Sequence, residues 1–255
     1  MKALMKSLFT AILISGLVAG ASVSHAAPVL SIDYSPDAQA NFLAMLSGTS
    51  VTETFDSLGG ATVNGGNQQS SWENKNTSFA TDVGTFTLTQ AGQTANGNVH
   101  NNQLMIESRT TGEFGREVLS NYRGDLWLDS NDAKKVVWTI DSAALAGGFF
   151  NALGFFIADP SDVSAILTLT FDDGSSTAQI KIFPKLPNAT VGFVSLLSDK
   201  NIVGATFTFL NSTNNDGWGI DDVTIGKVPE PGTLLLLALG LLGLGIARRR
   251  VLSQH

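Results

Sequence analysis

The chain has 255 residues, no cysteine and a formal charge of −7. The missing thiols exclude disulfides, thiolate metal sites and cysteine nucleophiles. Residues 27–226 hold nine Lys and Arg against twenty-one Asp and Glu, a net of −12, which repels phosphate backbones and excludes nucleic-acid binding. That central stretch suits one β-sandwich-sized domain rather than two.

Residues 1–26 read as a secretory signal. Lys2 and Lys6 give a positive front, an apolar stretch follows from Leu8, and small residues lead to Ser24-His25-Ala26. Signal peptidase is expected to cut after Ala26. The mature chain then opens on a short predicted helix over 36–47, with Ser35 as the cap and Ala38, Phe42, Met45 and Leu46 on one face.

From Val51 onward the pattern changes to short runs of β-branched and aromatic residues cut by Gly, Asn, Asp and Ser. Strands are predicted over 51–56, 84–90, 103–109, 135–140, 153–158, 165–171, 177–183, 192–197, 202–210 and 218–225. In 84–90, Phe86 and Leu88 alternate with Thr85, Thr87 and Thr89, the period of a half-buried strand. Asp172-Asp173-Gly174-Ser175 reads as a hairpin turn. Ten short strands without intervening helices predict an all-β, antiparallel sandwich. No fixed-period repeat is present, which argues against a solenoid or propeller.

The C-terminal stretch 227–255 contains Pro229-Glu230-Pro231, an apolar segment over 233–247 and the cluster Arg248, Arg249, Arg250. Leu234–Ala247 is 14 apolar or glycine residues. As a helix it would span about 21 Å, a short transmembrane helix against a hydrocarbon core of roughly 30 Å. The arginines would stay cytoplasmic. These three parts, in this order, resemble the PEP-CTERM sorting signal. The resemblance implies a tail that holds the exported chain in the inner membrane until an exosortase cuts near Pro-Glu-Pro. The protein then passes to the cell surface or extracellular matrix.

Residues 150–226, and the first half more weakly, also resemble the extracellular domains that precede such tails. The matching residues are Phe55-Asp56, Gly154-Phe155, Asp172-Asp173-Gly174 and the closing run Asp216-Gly217-Trp218-Gly219-Ile220-Asp221-Asp222-Val223. The resemblance implies a jelly-roll, lectin-like sandwich and names no ligand.

Catalytic chemistry has little to stand on. His100 is the one histidine of the central stretch, too few for a multi-histidine zinc site, and no nucleophile elbow precedes a helix. Glu107, Glu113 and Glu117 are candidates for a glycosidase carboxylate pair, but Arg109, Arg116 and Arg123 interleave with them and favour ion pairing. Calcium is the one cofactor the residues suggest. Glu53 and Asp56 near the first strand and Asp221 and Asp222 on the last would supply hard oxygens. The competing reading has these carboxylates bonded to backbone amides. Asp221 and Asp222 should point to opposite faces of a regular strand.

For glycan binding, Trp72 lies in a polar Asn- and Gln-rich segment and Trp127 in Asp-Leu-Trp-Leu-Asp-Ser, where exposed rings would stack on sugars. Trp138 and Trp218, within strands, are expected in the core. The leading expectation is a non-enzymatic exported surface or matrix protein that binds exopolysaccharide. A surface glycoside hydrolase is one alternative. An adhesin or ice-binding protein is another, although the threonine runs are short for an ice-binding array.

Overall fold

Burial of alternate side chains dictates the architecture, and nearly every predicted strand is present. The computed structural model describes residues 26–59, 74–92, 103–107, 126–131, 133–160, 163–177, 180–182, 190–211 and 217–229. The leader and the tail beyond Pro229 lie outside these residues. Among the described residues no helix is long and apolar enough to cross a membrane.

In chain order the elements are β1 (Val29–Asp33), α1 (Ala38–Met45), β2 (Val51–Glu53), β3 (Asn74–Asn76), β4 (Ser78–Thr81), β5 (Gly84–Gln90) and β6 (Leu104–Glu107). They continue with β7 (Trp127–Asp129), β8 (Lys135–Ile140), β9 (Phe150–Ala158), β10 (Val163–Phe171), β11 (Ile180–Ile182), β12 (Val191–Asn211) and β13 (Gly219–Gly226). All strand pairings are antiparallel.

The long β12 explains the layering. Its first part pairs with β1 and β9, and its second part pairs with β10 and β8. One layer therefore runs β3-β6-β7-β13-β9-β12-β1, with β2 beside β7 along the same edge of β13. The other runs β11-β10-β12-β8-β5-β4. The result is an all-β, jelly-roll-like sandwich, as the sequence predicted.

Aromatic rings fill the space between the layers. Phe86, Trp138 and Phe207 lie opposite one another on β5, β8 and β12. Their rings stack at 4.8 and 5.4 Å. Phe155 of β9 meets this ladder edge-on, 5.7 Å from Trp138, the geometry that ring quadrupoles favour. Trp138 and Trp218 are both in the core.

A second apolar cluster covers the outer face of the β9 layer. It joins Ala38 and Phe42 of α1 to Trp127, Ala152, Phe156, Ala158 and Phe193. Strand β9 is thus buried on both faces: Leu153, Phe155 and Ile157 point to the core, while Ala152, Phe156 and Ala158 point to the helix. Gly154 lets the helix approach. A Cβ there would lie 2.6 Å from a Phe193 ring atom and 2.8 Å from one of Phe42.

Several local differences have physical causes. The predicted strands 192–197 and 202–210 are one strand, because Asn201 in the intervening polar stretch is tied by its carbonyl to Asp172 N–H. The helix is shorter than 36–47. Ser35 contributes its carbonyl to Ala38 N–H rather than a side-chain cap. Met45 faces solvent. Strand 51–56 stops at Glu53, since Phe55 takes a left-handed φ of 61° and a 3-10 turn follows over Asp56–Leu58. The Asp172–Ser175 turn forms as expected, closed by Gly174 N–H to the Phe171 carbonyl with Gly174 at φ 79°.

Candidate functional site

Strand β2, where the sequence placed its first strand, meets the last strand, β13. Glu53 lies opposite Val223, Thr52 opposite Thr224, and the two threonine hydroxyls are 2.8 Å apart. The four carboxylates proposed for calcium nevertheless separate. Val223 is a core residue, and Glu53 on the same side reaches across to the other layer. Its Oε1 accepts from Phe55 N–H at 2.6 Å and its Oε2 from Asp82 N–H at 3.0 Å. Asp56 is exposed and accepts from Leu126 N–H and from the Thr54 hydroxyl.

Asp221 and Asp222 turn the other way. The β9–β13 register shifts between Asp221 and Thr224, and Asp222 has a φ of 50°. This bulge breaks the strand alternation. Asp221 sits opposite Phe156 of the outer cluster, and Asp222 Oδ2 accepts from Gln39 Nε2 of α1 at 3.0 Å. Both aspartates therefore lie on the outer side, which corrects the expectation of opposite faces. Asp221 Oδ1 also accepts from Asp222 N–H at 2.7 Å. Glu53 and Asp56 of the expected calcium set bond backbone amides and a hydroxyl, while Asp221 and Asp222 lie on the outer side of the layer. Among the described residues no group of three acidic or histidine side chains gathers as a metal site.

Trp127 needs a second correction. It is fully buried, packed with Phe42 and Phe156 in the outer cluster, so it offers no ring face to a sugar. The surrounding sequence is polar, but Leu128 turns into the core while Trp127 turns beneath the helix. Trp72, Glu113, Glu117, His100, Glu230, Pro231, Arg248, Arg249 and Arg250 lie outside the described residues. Pro229 is the last described residue of the chain.

The register reveals an arrangement that the sequence did not. Glu107 lies opposite Trp127, Met105 opposite Asp129, and Asp129 opposite Gly219 two residues before Asp221. Glu107, Asp129 and Asp221 therefore share the outer face of three neighbouring strands, and all three are buried. Asp129 caps its own turn, accepting from Asn131 N–H at 2.5 Å. Only the pairing register places these acids on one face, since they are far apart in sequence.

One open groove of about 670 Å³ lies along β4, β5 and β8. Thr81, Asp82, Thr85, Thr139 and Asp141 are among its lining residues, and among the described residues no aromatic ring lines it. Its hydroxyls and carboxylates suit hydrogen bonding to polyols.

Among solved structures, the K2 cleaved adhesin domain of Lys-gingipain is similar at 12% identity and a TM-score of 0.36, covering 69% of this chain and 99% of that one. The CBM22-1 xylan-binding domain of Paenibacillus barcinonensis Xyn10C gives 9% identity and a TM-score of 0.32, covering 71% and 96%. The enzymatically active domain of tailspike protein 4 from bacteriophage CBA120 gives 19% identity and a TM-score of 0.28, covering 60% and 19%. These likenesses are too slight to carry an argument about ligand or activity. No curated protein matches the chain. Residues 227–250 match the PEP-CTERM protein-sorting motif, so the chain carries a signal for export and for processing by an exosortase.

Proposed function

We propose that this protein is an exported surface or extracellular-matrix component whose β-sandwich is the cargo of its sorting tail and binds exopolysaccharide without turning it over. The observation that carries this reading is continuity. Strand β13 ends at Gly226 and the matched motif starts at Lys227, so the sorting signal issues directly from the folded domain. The Thr- and Asp-lined groove supports a polyol ligand. The charge of −12 over residues 27–226 favours a neutral glycan over an anionic one.

A surface glycoside hydrolase is the second reading. It is favoured by the shared outer face of Glu107, Asp129 and Asp221, because hydrolysis needs two carboxylates flanking a bond. Asp129 and Asp221 are engaged with backbone amides, which speaks for a structural role.

The test is co-sedimentation of the processed protein with exopolysaccharide from its host, in calcium and in chelator, followed by a reducing-sugar assay. Pelleting in both conditions with no sugar release is expected. Failure to pellet in either condition overturns the binding reading, and sugar release that Glu107→Gln abolishes establishes the hydrolase.

A further inference from the structure

The β9–β13 ladder ends at the pair Gly226↔Ala152. One residue further along, a side chain continues what the backbone began. Asn151 Oδ1 accepts from Val228 N–H at 2.7 Å, and Asn151 Nδ2 donates to the Val228 carbonyl at 3.1 Å. The amide group thus imitates one more rung of the sheet. On the other side, the Lys227 carbonyl accepts from Ser47 N–H at 2.7 Å. Lys227 Nζ donates to the Ala146 carbonyl at 2.5 Å and stands 3.5 Å from the centre of the Phe149 ring. Val228 itself packs against the outer apolar cluster.

Three successive backbone groups are therefore held: the Lys227 carbonyl, the Val228 N–H and the Val228 carbonyl. The next residue is Pro229, which has no N–H to offer and opens the Pro-Glu-Pro motif. No spacer separates the folded domain from the processed segment.

We infer that Asn151 and Lys227 form a clamp that fixes where the folded domain stops, so that the sorting cut falls C-terminal to Val228. The inference rests on the exosortase reading of residues 227–250. A protease must lay several residues of substrate along its cleft, and residues 226–228 are already held, Gly226 and Val228 on the β9 side and Lys227 by Ser47. Hydrolysis breaks one peptide C–N bond; the acyl carbon takes the hydroxyl of water and the departing amine takes the proton. Asn151 acts through Val228, as a positioning residue.

The experiment uses the full chain in a host that processes other PEP-CTERM proteins. Intact mass of the released protein gives its C-terminal residue, and hydrogen exchange on the purified uncut chain reports the Val228 amide. Wild type should end in one residue at 229 or beyond. Asn151→Ala removes two hydrogen bonds and should speed Val228 exchange roughly 5- to 150-fold, with new C-termini appearing at 226–228. Asn151→Asp keeps the acceptor and loses the donor, so it should fall between. Lys227→Met loosens the same seat from the chain's own side and gives a second route if Asn151→Ala fails to fold. A wild-type terminus before Val228 overturns the inference, as does Asn151→Ala with unchanged exchange and an unchanged single terminus. Wild type that stays uncut overturns the sorting reading instead, while the exchange measurement on the same uncut chain still decides the clamp.

Discussion

Glu53 separates a structural carboxylate from a metal ligand. Its two oxygens accept from two backbone amides, one beside it and one in the other layer, and the residue is 4% exposed. Glu53→Gln keeps the shape and replaces one acceptor with an NH2 donor. One amide, at Phe55 or Asp82, then faces a donor instead of an acceptor. A hydrogen bond to a charged group contributes about 1.5–3 kcal/mol, and a stranded buried donor costs about 1–3 kcal/mol. The two overlap, so the loss should be about 2–4 kcal/mol. For a domain of this size each kcal/mol moves Tm by about 2–4 °C, which predicts a drop of about 5–15 °C. The assay is thermal unfolding of wild type and variant, each in calcium and in EDTA. The drop should be the same in both solutions, and wild type should melt at one temperature in both. A calcium-dependent rise in wild-type Tm that vanishes in Glu53→Gln would refute the assignment. So would a drop under about 1 °C in EDTA.

Three further outcomes follow from single contacts. Gly154→Ala drives a methyl into the Phe193 and Phe42 rings and should cost about 1–3 kcal/mol, read as a lower urea midpoint. Asp222→Ala loses the Gln39 bond and keeps a left-handed φ of 50°. It should cost about 2–3 kcal/mol, whereas Asp222→Asn, which keeps an acceptor and tolerates that φ, should cost about half as much. Asp173 sits in the hairpin turn, where the Ser175 hydroxyl and then Lys200 hold its carboxyl well below the usual carboxylate range. Because the folded value is depressed, its contribution is present above the ordinary aspartate value of about 3.9 and is lost as pH falls through the lower folded value. Carboxyl NMR titration should show this group ionised after other exposed aspartates have protonated, and Lys200→Ala should raise its midpoint.

What the sequence made legible was period and punctuation. Strands β5 and β8 fall where alternation placed them, and the Asp-Asp-Gly-Ser turn closes as its residues require. Short strands with no apolar run escaped, as Asn-Lys-Asn in β3 shows. Strand β7 is only three residues long, and its flanking acids made Trp127 look exposed. Burial on two faces cannot be told from period alone, because α1 covers β9 from outside and that packing is long-range. The direction of Asp222 depended on a bulge, a one-residue backbone event with no side-chain signature beyond an Asp that tolerates positive φ. The seat for Lys227 and Val228 was invisible because Ser47 and the stretch from Ala146 to Asn151 are far apart in sequence.

The position of β13 ties folding to sorting. All eight of its residues are buried, and it lies between β7 and β9 in its layer. A central strand supplied last leaves the sandwich unfinished until Gly226 has been exported, and Pro229 follows only three residues later. Ile225→Ala tests whether that adjacency matters. Ile225 is fully buried in the main core, and its truncation should cost about 2–5 kcal/mol. The variant leaves the motif and every clamp residue in place, yet β13 should leave its partners more often and carry Val228 with it. Pulse-chase with mass analysis of the released protein should then show termini spread upstream of Val228, as in Asn151→Ala, together with a lower Tm. If Ile225→Ala lowers Tm and the released protein keeps a single wild-type terminus, the enzyme reads the motif without regard to the fold that presents it.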